Sequence, residues 1–215
     1  MNYADSLWLF LLLIAGIIIV PGMDMLYVLA NGLTGGRRAG MTATAGMVAG
    51  GAVHTLYGTI GTGLLAALAP KLFLPLLVAG ALYMAWIGYT LARSSITVDA
   101  VEGASPVRLS TIFRRAVLTC LMNPKAYLFV IAVYPQFLRP EYGPFWRQGL
   151  VLGLITALMQ ASVYGAIALA AGRARGLLIG NPVATVWVGR SVGLLLILVA
   201  FVTAAEGLLG PAAAS

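Results

Sequence analysis

Two side chains of opposite charge sit deep inside apolar sequence: Asp24, just after Pro21-Gly22-Met23, and Lys125, just after Asn123-Pro124. Asp24 lies 17 residues after Leu7 and 13 before Arg37, and Lys125 lies 10 after Arg115 and 14 before Arg139. On a helix rising about 1.5 Å per residue, each falls near the middle of a bilayer-crossing segment. A charge at that depth costs roughly 2.5–3.5 kcal/mol even on the lower scales, so each must face a protein interior or a water-filled cavity. Two chemistries fit one anion and one cation at similar depth from different spans. They pair directly as a structural ion pair, or they stand apart and hold the ammonium and carboxylate of a zwitterion.

Each charge follows a helix breaker. Proline removes a backbone donor and crowds the preceding turn, and Gly22 frees the local dihedrals. A helix broken at membrane depth exposes backbone N–H and C=O groups whose partial charges bind carboxylate and ammonium. The candidate substrate-binding residues are therefore Pro21, Gly22, Asp24, Asn123, Pro124 and Lys125. His54, the single histidine, lies inside an apolar run and reads either as a packing residue or as a proton relay; with Asp24 it is the candidate for proton coupling. Asn31, Tyr57, Tyr127, Gln160 and Tyr164 read as cavity hydrogen-bonders or as glue between helices. No carboxylate pair, nucleophile triad, metal-ligand cluster or complete phosphate loop is present, so neither an enzyme nor a metal or other cofactor is expected.

The elements that position these residues follow from composition. The chain is 61% hydrophobic and 9% charged, with mean hydropathy +0.98. A soluble domain carries about 45–50% apolar and about 25% charged residues, so the expected class is an all-α polytopic membrane protein. The net charge of +7 comes from Lys and Arg placed singly or in pairs between apolar runs, which suits topology rather than a nucleic-acid partner. Spans are expected at Leu7–Leu33, broken at Pro21-Gly22 and ended by turn formers over Asn31–Arg38; at Ala39–Leu68; and at Leu72–Leu91, with Tyr83, Trp86 and Tyr89 near one end. The polar stretch Arg93–Ser110 reads as the central loop. After it come spans at Ala116–Leu138, interrupted at Asn123-Pro124-Lys125, from Pro144 and Arg147 to Gly172, and from Thr185 to Leu209.

Six spans divide as three plus three, giving a first repeat over 1–92, a cytoplasmic connecting loop over 93–110 and a second repeat over 111–215. The first span of each half carries a proline beside a charge at mid-depth. Repeats of three spans have opposite membrane orientation, and paired interrupted helices in corresponding positions point to a transporter site at the bilayer midplane. Loops after the odd-numbered spans carry nine Lys or Arg, against three on the other side, which places those loops in the cytoplasm and both termini in the periplasm.

At these residues the chain resembles the LysE/RhtB type of the lysine exporter superfamily. The resemblance rests on Gly16 with Pro21-Gly22 and Asp24, on Gly35-Gly36-Arg37-Arg38-Ala39-Gly40, and on Asn123-Pro124-Lys125-Ala126 leading to Pro135-Gln136-Phe137. It spans nearly the whole length; the family's usual Pro-Gly-Pro is here Pro21-Gly22-Met23. It implies a multi-pass protein of the bacterial inner membrane that exports amino acids or close derivatives, driven by the proton motive force. Joined to the residue-level reading, it gives proton antiport by alternating access, with Asp24 attracting an ammonium or a proton and Lys125 a carboxylate. The expected partners are a small zwitterion, protons, the lipid bilayer and, from glycine-rich helix faces, a second copy in a homodimer. Two other readings stay open: export of another small solute such as a metal cation, and a non-transport scaffold locked by Asp24 and Lys125.

Overall fold

The computed structural model describes residues 2–61, 75, 78–79, 81–83, 85–86, 88–89, 92–93, 107–179 and 182–209. Among them every regular element is helical: α1 Tyr3–Ile19, α2 Met23–Ile60, α3 Leu109–Leu121, α4 Pro124–Phe137, α5 Phe145–Ile179 and α6 Pro182–Leu209, with a short 3-10 turn at Pro140–Tyr142. Most of the third expected span and of the central loop lies outside the described residues.

The two expected breaks are present. α1 begins with a capping box between Asn2 and Asp5 and ends at Val20, where Pro21 cannot donate; α2 restarts at Met23, bent by 55° from α1. α3 ends at Leu121, and Asn123 caps α4 by accepting a hydrogen bond from the Lys125 N–H at 3.1 Å, with Pro124 in the first helical position.

One expected turn is present and two boundaries differ from expectation. Asn31–Arg38 holds the expected turn: α2 is two helices that meet at Gly36, whose φ of 74° suits glycine, and they fold back on one another, since a Cβ at Gly40 would lie 3.1 Å from Gly32 Cα. The polar residues there serve the helix: the Asn31 side chain donates to Tyr27 O and Thr34 Oγ1 to Ala30 O, both at 2.8 Å. Helix α2 ends at Ile60, short of Leu68, and residues 62–68 lie outside the described set. Helix α3 starts at Leu109, inside the stretch expected to be loop.

Small residues let α2 lie close to two neighbours. Its second half, after Gly36, runs antiparallel to α5, with Gly40 against Ala168, Gly51 against Gln160 and Thr59 against Gly149, and follows α3 through Gly46 on Ala116 and Gly50 on Cys120, while Gly32 of its first half meets Ala171. The glycines that suggested a partner copy are thus used inside the chain. α1 runs antiparallel to α4: Tyr3 meets Tyr142 at 4.9 Å, Phe10 packs on Phe137 and Tyr134 at 5.3 and 5.6 Å, and Lys125 reaches the end of α1. Gln148 ties the α4–α5 connection, its amide donating to Arg139 O and Gly143 O while its oxygen accepts from Arg139 N.

Polarity is reversed relative to a soluble protein. Asp24, His54, Asn123, Thr156 and Gln160 are buried, while Leu12, Leu150, Leu154, Leu158, Leu198 and Phe201 are exposed. Residues 145–175 form a helix long and apolar enough to cross a membrane, and the bent pair α1–α2 meets the same test jointly.

Candidate functional site

The site is built from the two breaks. In a continuous helix, residue 21 would donate its N–H to Ile17 O, and proline has none to give. Lys125, more than 100 positions away, supplies the donor: its Nζ donates to Ile17 O and Val20 O, both at 2.8 Å. The ammonium thus sits at the carbonyl end of α1, where the helix dipole favours positive charge. Gly22 gives it room, since a Cβ there would lie 3.3 Å from Nζ.

The second break repeats this logic. Pro124 has no N–H for Cys120 O, which accepts instead from the Asn123 N–H at 3.1 Å, and His54 Nε2 lies 2.9 Å from that oxygen. A carbonyl only accepts, so Nε2 carries the hydrogen, and in the neutral ring Nδ1 accepts from the Tyr57 hydroxyl. His54 therefore adds a second donor to the carbonyl at the break, beyond the packing and relay readings that its sequence position suggested.

Asp24 occupies the first turn of α2, where the positive end of the helix dipole favours a carboxylate. It is buried, and its Oδ1 has no hydrogen-bond partner. The Asn123 amide stands beside it, yet Asn123 Nδ2 also lacks a partner. The orientation of that amide follows from the cap, because its oxygen is committed to the Lys125 N–H. Among the described residues the one side-chain ion pair joins exposed Arg139 and Glu141, so Asp24 and Lys125 stand apart.

These groups share a cavity of about 40 Å³ lined by Asp24, Gly51 and His54 of α2, Asn123, Lys125, Ala126, Phe129, Val130 and Tyr134 around α4, Ile14, Ile17 and Ile18 of α1, and Thr156, Gln160 and Tyr164 of α5. That volume accommodates water. An amino acid needs the walls to move, because small-molecule sites run to roughly 300–1,000 Å³.

Of the residues expected at a site, Asp24, His54, Asn123 and Lys125 line the cavity, and Gly22 lies against the Lys125 ammonium. Pro21 is exposed beside it, and Pro124 opens α4. Gln160 and Tyr164 also line the cavity, whereas Asn31 bonds within its own helix and Tyr57 reaches His54. Sequence reasoning missed Thr156, Gly51 and Tyr134. Thr156, Gln160 and Tyr164 are spaced by four, so extending the polar stripe one turn back from Gln160 finds Thr156.

The LysE type translocator family matches residues 15–207. An uncharacterized membrane protein of Vibrio cholerae is 35% identical over 166 residues, covering 76% of this chain and 80% of its own. A homoserine/homoserine lactone efflux protein of Salmonella typhimurium is 29% identical over 143 residues, 66% of this chain and 69% of its own. A leucine efflux protein of Klebsiella pneumoniae is 34% identical over 123 residues, 57% of this chain and 58% of its own. No solved structure matches the chain.

Proposed function

We propose that this protein, which belongs to the LysE type translocator family, exports amino acids or close derivatives across the bacterial inner membrane. Membership makes the all-helical chain a polytopic membrane protein. Relatives named for homoserine/homoserine lactone efflux and for leucine efflux support an amino-acid cargo. The observation that carries the reading is the cavity where two broken spans meet, holding one carboxylate and one ammonium that do not pair with each other.

In this mechanism Asp24 and the N-terminal end of α2 receive the substrate ammonium. Lys125 and the Asn123 amide receive its carboxylate. Two of the ammonium's three donors are spent on α1, so a carboxylate arriving at Lys125 competes with the end of that helix. Substrate binding is thereby linked to the bend between α1 and α2. Protonating Asp24 removes its charge and weakens its hold on an ammonium, which gives proton antiport a physical route. Alternating access between inverted halves draws support from the antiparallel pairing of α1 with α4 and of the second half of α2 with α5, as a two-fold axis in the membrane plane requires. Nine Lys and Arg on one side support periplasmic termini. A metal-cation cargo lacks a ligand set among the described residues, where Asp24 is the one carboxylate in the cavity.

The test is efflux from cells preloaded with mixed amino acids, comparing wild type with Asp24→Asn at matched membrane abundance. Wild-type export reduced at least roughly tenfold by the substitution is expected, the size of effect that loss of a buried charged contact produces. Equal export by both proteins removes Asp24 from the mechanism, and no export by either removes amino acids as cargo.

A further inference from the structure

We propose that the cavity selects α-amino acids with an uncharged aliphatic side chain, with Gln160 sharing the substrate ammonium with Asp24; this rests on the exporter reading above. The cavity has two unlike faces. One face carries the polar groups of α2, α5 and the start of α4. The other is Ile14, Ile17 and Ile18 of α1 with Phe129 and Val130 of α4.

The polar face holds three buried atoms without partners: the acceptors Asp24 Oδ1 and Gln160 Oε1, and the donor Asn123 Nδ2. A buried polar atom left unpaired is costly, so three around one cavity specify what completes them. Two acceptors suit an ammonium. The amide donor, beside the Lys125 ammonium, suits a carboxylate. The α-ammonium and α-carboxylate of one amino acid use all of them, and Gly51 holds the Gln160 tip in place, since a Cβ there would lie 2.4 Å from Oε1.

Among the described residues nothing charged remains for the substrate's side chain. Asp24 is the only carboxylate among those lining the cavity and is already engaged by the α-ammonium. Among the described lining residues Lys125 is the only permanent cation, and the His54 ring nitrogens are taken by Cys120 O and Tyr57. A lysine, arginine or glutamate side chain would bring an unpaired charge against isoleucine and phenylalanine, which an apolar wall rejects strongly. Leucine or valine would instead bury methyl groups there, and each methylene in an apolar pocket discriminates by about tenfold or more.

The experiment is efflux from membrane vesicles preloaded with equimolar leucine, valine, phenylalanine, lysine, arginine and glutamate, quantified together. Leucine and valine leaving at least about tenfold faster than lysine, arginine and glutamate is expected. Lysine, arginine or glutamate leaving as fast overturns this selectivity while keeping the exporter; no efflux of any of the six overturns both. Two wall variants, Phe129→Ala and Ile18→Val, are read as the leucine-to-phenylalanine and leucine-to-valine ratios within one preparation, which do not depend on the amount of folded protein. At least one ratio shifting about threefold or more is expected, and both ratios unchanged overturn the wall as the side-chain subsite. Gly51→Ala is expected to raise the half-saturating leucine concentration at unchanged abundance, and an unchanged value removes Gln160 from the site.

Discussion

Pro21 and Pro124 each leave one carbonyl without its helical donor, and in each case a side chain from another span donates to it. Lys125 takes Ile17 O with Val20 O, and His54 takes Cys120 O. This explains why a lysine costly to bury is held at mid-depth without an acidic partner. Lys125→Met should therefore abolish export and also destabilise the folded protein, by about 1–3 kcal/mol for buried acceptors left unpaired. Adding Pro21→Ala restores an N–H for Ile17 O. The double variant should regain about 1 kcal/mol in thermal unfolding while export stays lost, since the substrate's cation is still missing. Export returning with stability would show that Lys125 only caps α1. His54→Phe keeps the ring but loses one of the two donors to Cys120 O, which keeps the Asn123 N–H, and a stability loss of about 0.5–1.5 kcal/mol in the same unfolding measurement is expected. The prolines and charges were legible in the sequence because a missing N–H is a covalent fact. Their rescuers were not, because contacts across 66 and 108 positions depend on how spans pack.

At the scale of the elements, α2 is the central one, lying against α5 and against α3 with α4 through small residues. A Cβ at Gly46 would lie 2.5 Å from Ala116 Cβ and 2.7 Å from Phe113 O, whereas a Cβ at Gly165 meets nothing within 4 Å. Gly46→Leu should accordingly cost about 1–3 kcal/mol or more through overpacking. Gly165→Ala should be neutral or stabilising by up to about 1 kcal/mol through helix propensity. Thermal unfolding of the two variants in one detergent checks the contrast; equal losses would show that the α2–α3 approach is not tight. The breaks at Pro21 and Asn123-Pro124 were readable from local chemistry. The turn at Gly36 was readable too, from the two glycines and the polar residues around them; that Asn31 and Thr34 bond back to their own helix was not, because the same side chains end a helix or bond back to it according to the backbone they meet.

For the whole molecule, the structure groups residues by end. Tyr3 meets Tyr142 at one end, and at the other Arg175 Nε donates to Thr34 O at 2.9 Å while Gly172 lies against Arg37. These groupings agree with the charge count, which assigns Arg37, Arg173 and Arg175 to one side and Arg139 and Arg147 to the other. Cys120 is the single cysteine and is buried, so a Cys120→Ser background permits labelling at chosen sites. Glu141→Cys should react with a membrane-impermeant maleimide in intact cells, and Arg38→Cys only after permeabilisation; the reverse pattern would invert the proposed orientation. By itself the sequence determined a helical, bilayer-crossing chain, the two breaks and the charges beside them, since hydropathy, missing donors and the cost of buried charge are all local. Only the tertiary structure decided that Asp24 and Lys125 stand apart, that Lys125 and His54 close the broken ends, and that Gln160, Thr156 and an aliphatic wall complete the cavity. The physical reason is that a polar group deep in a membrane must find a partner, while packing alone determines which partner lies within reach.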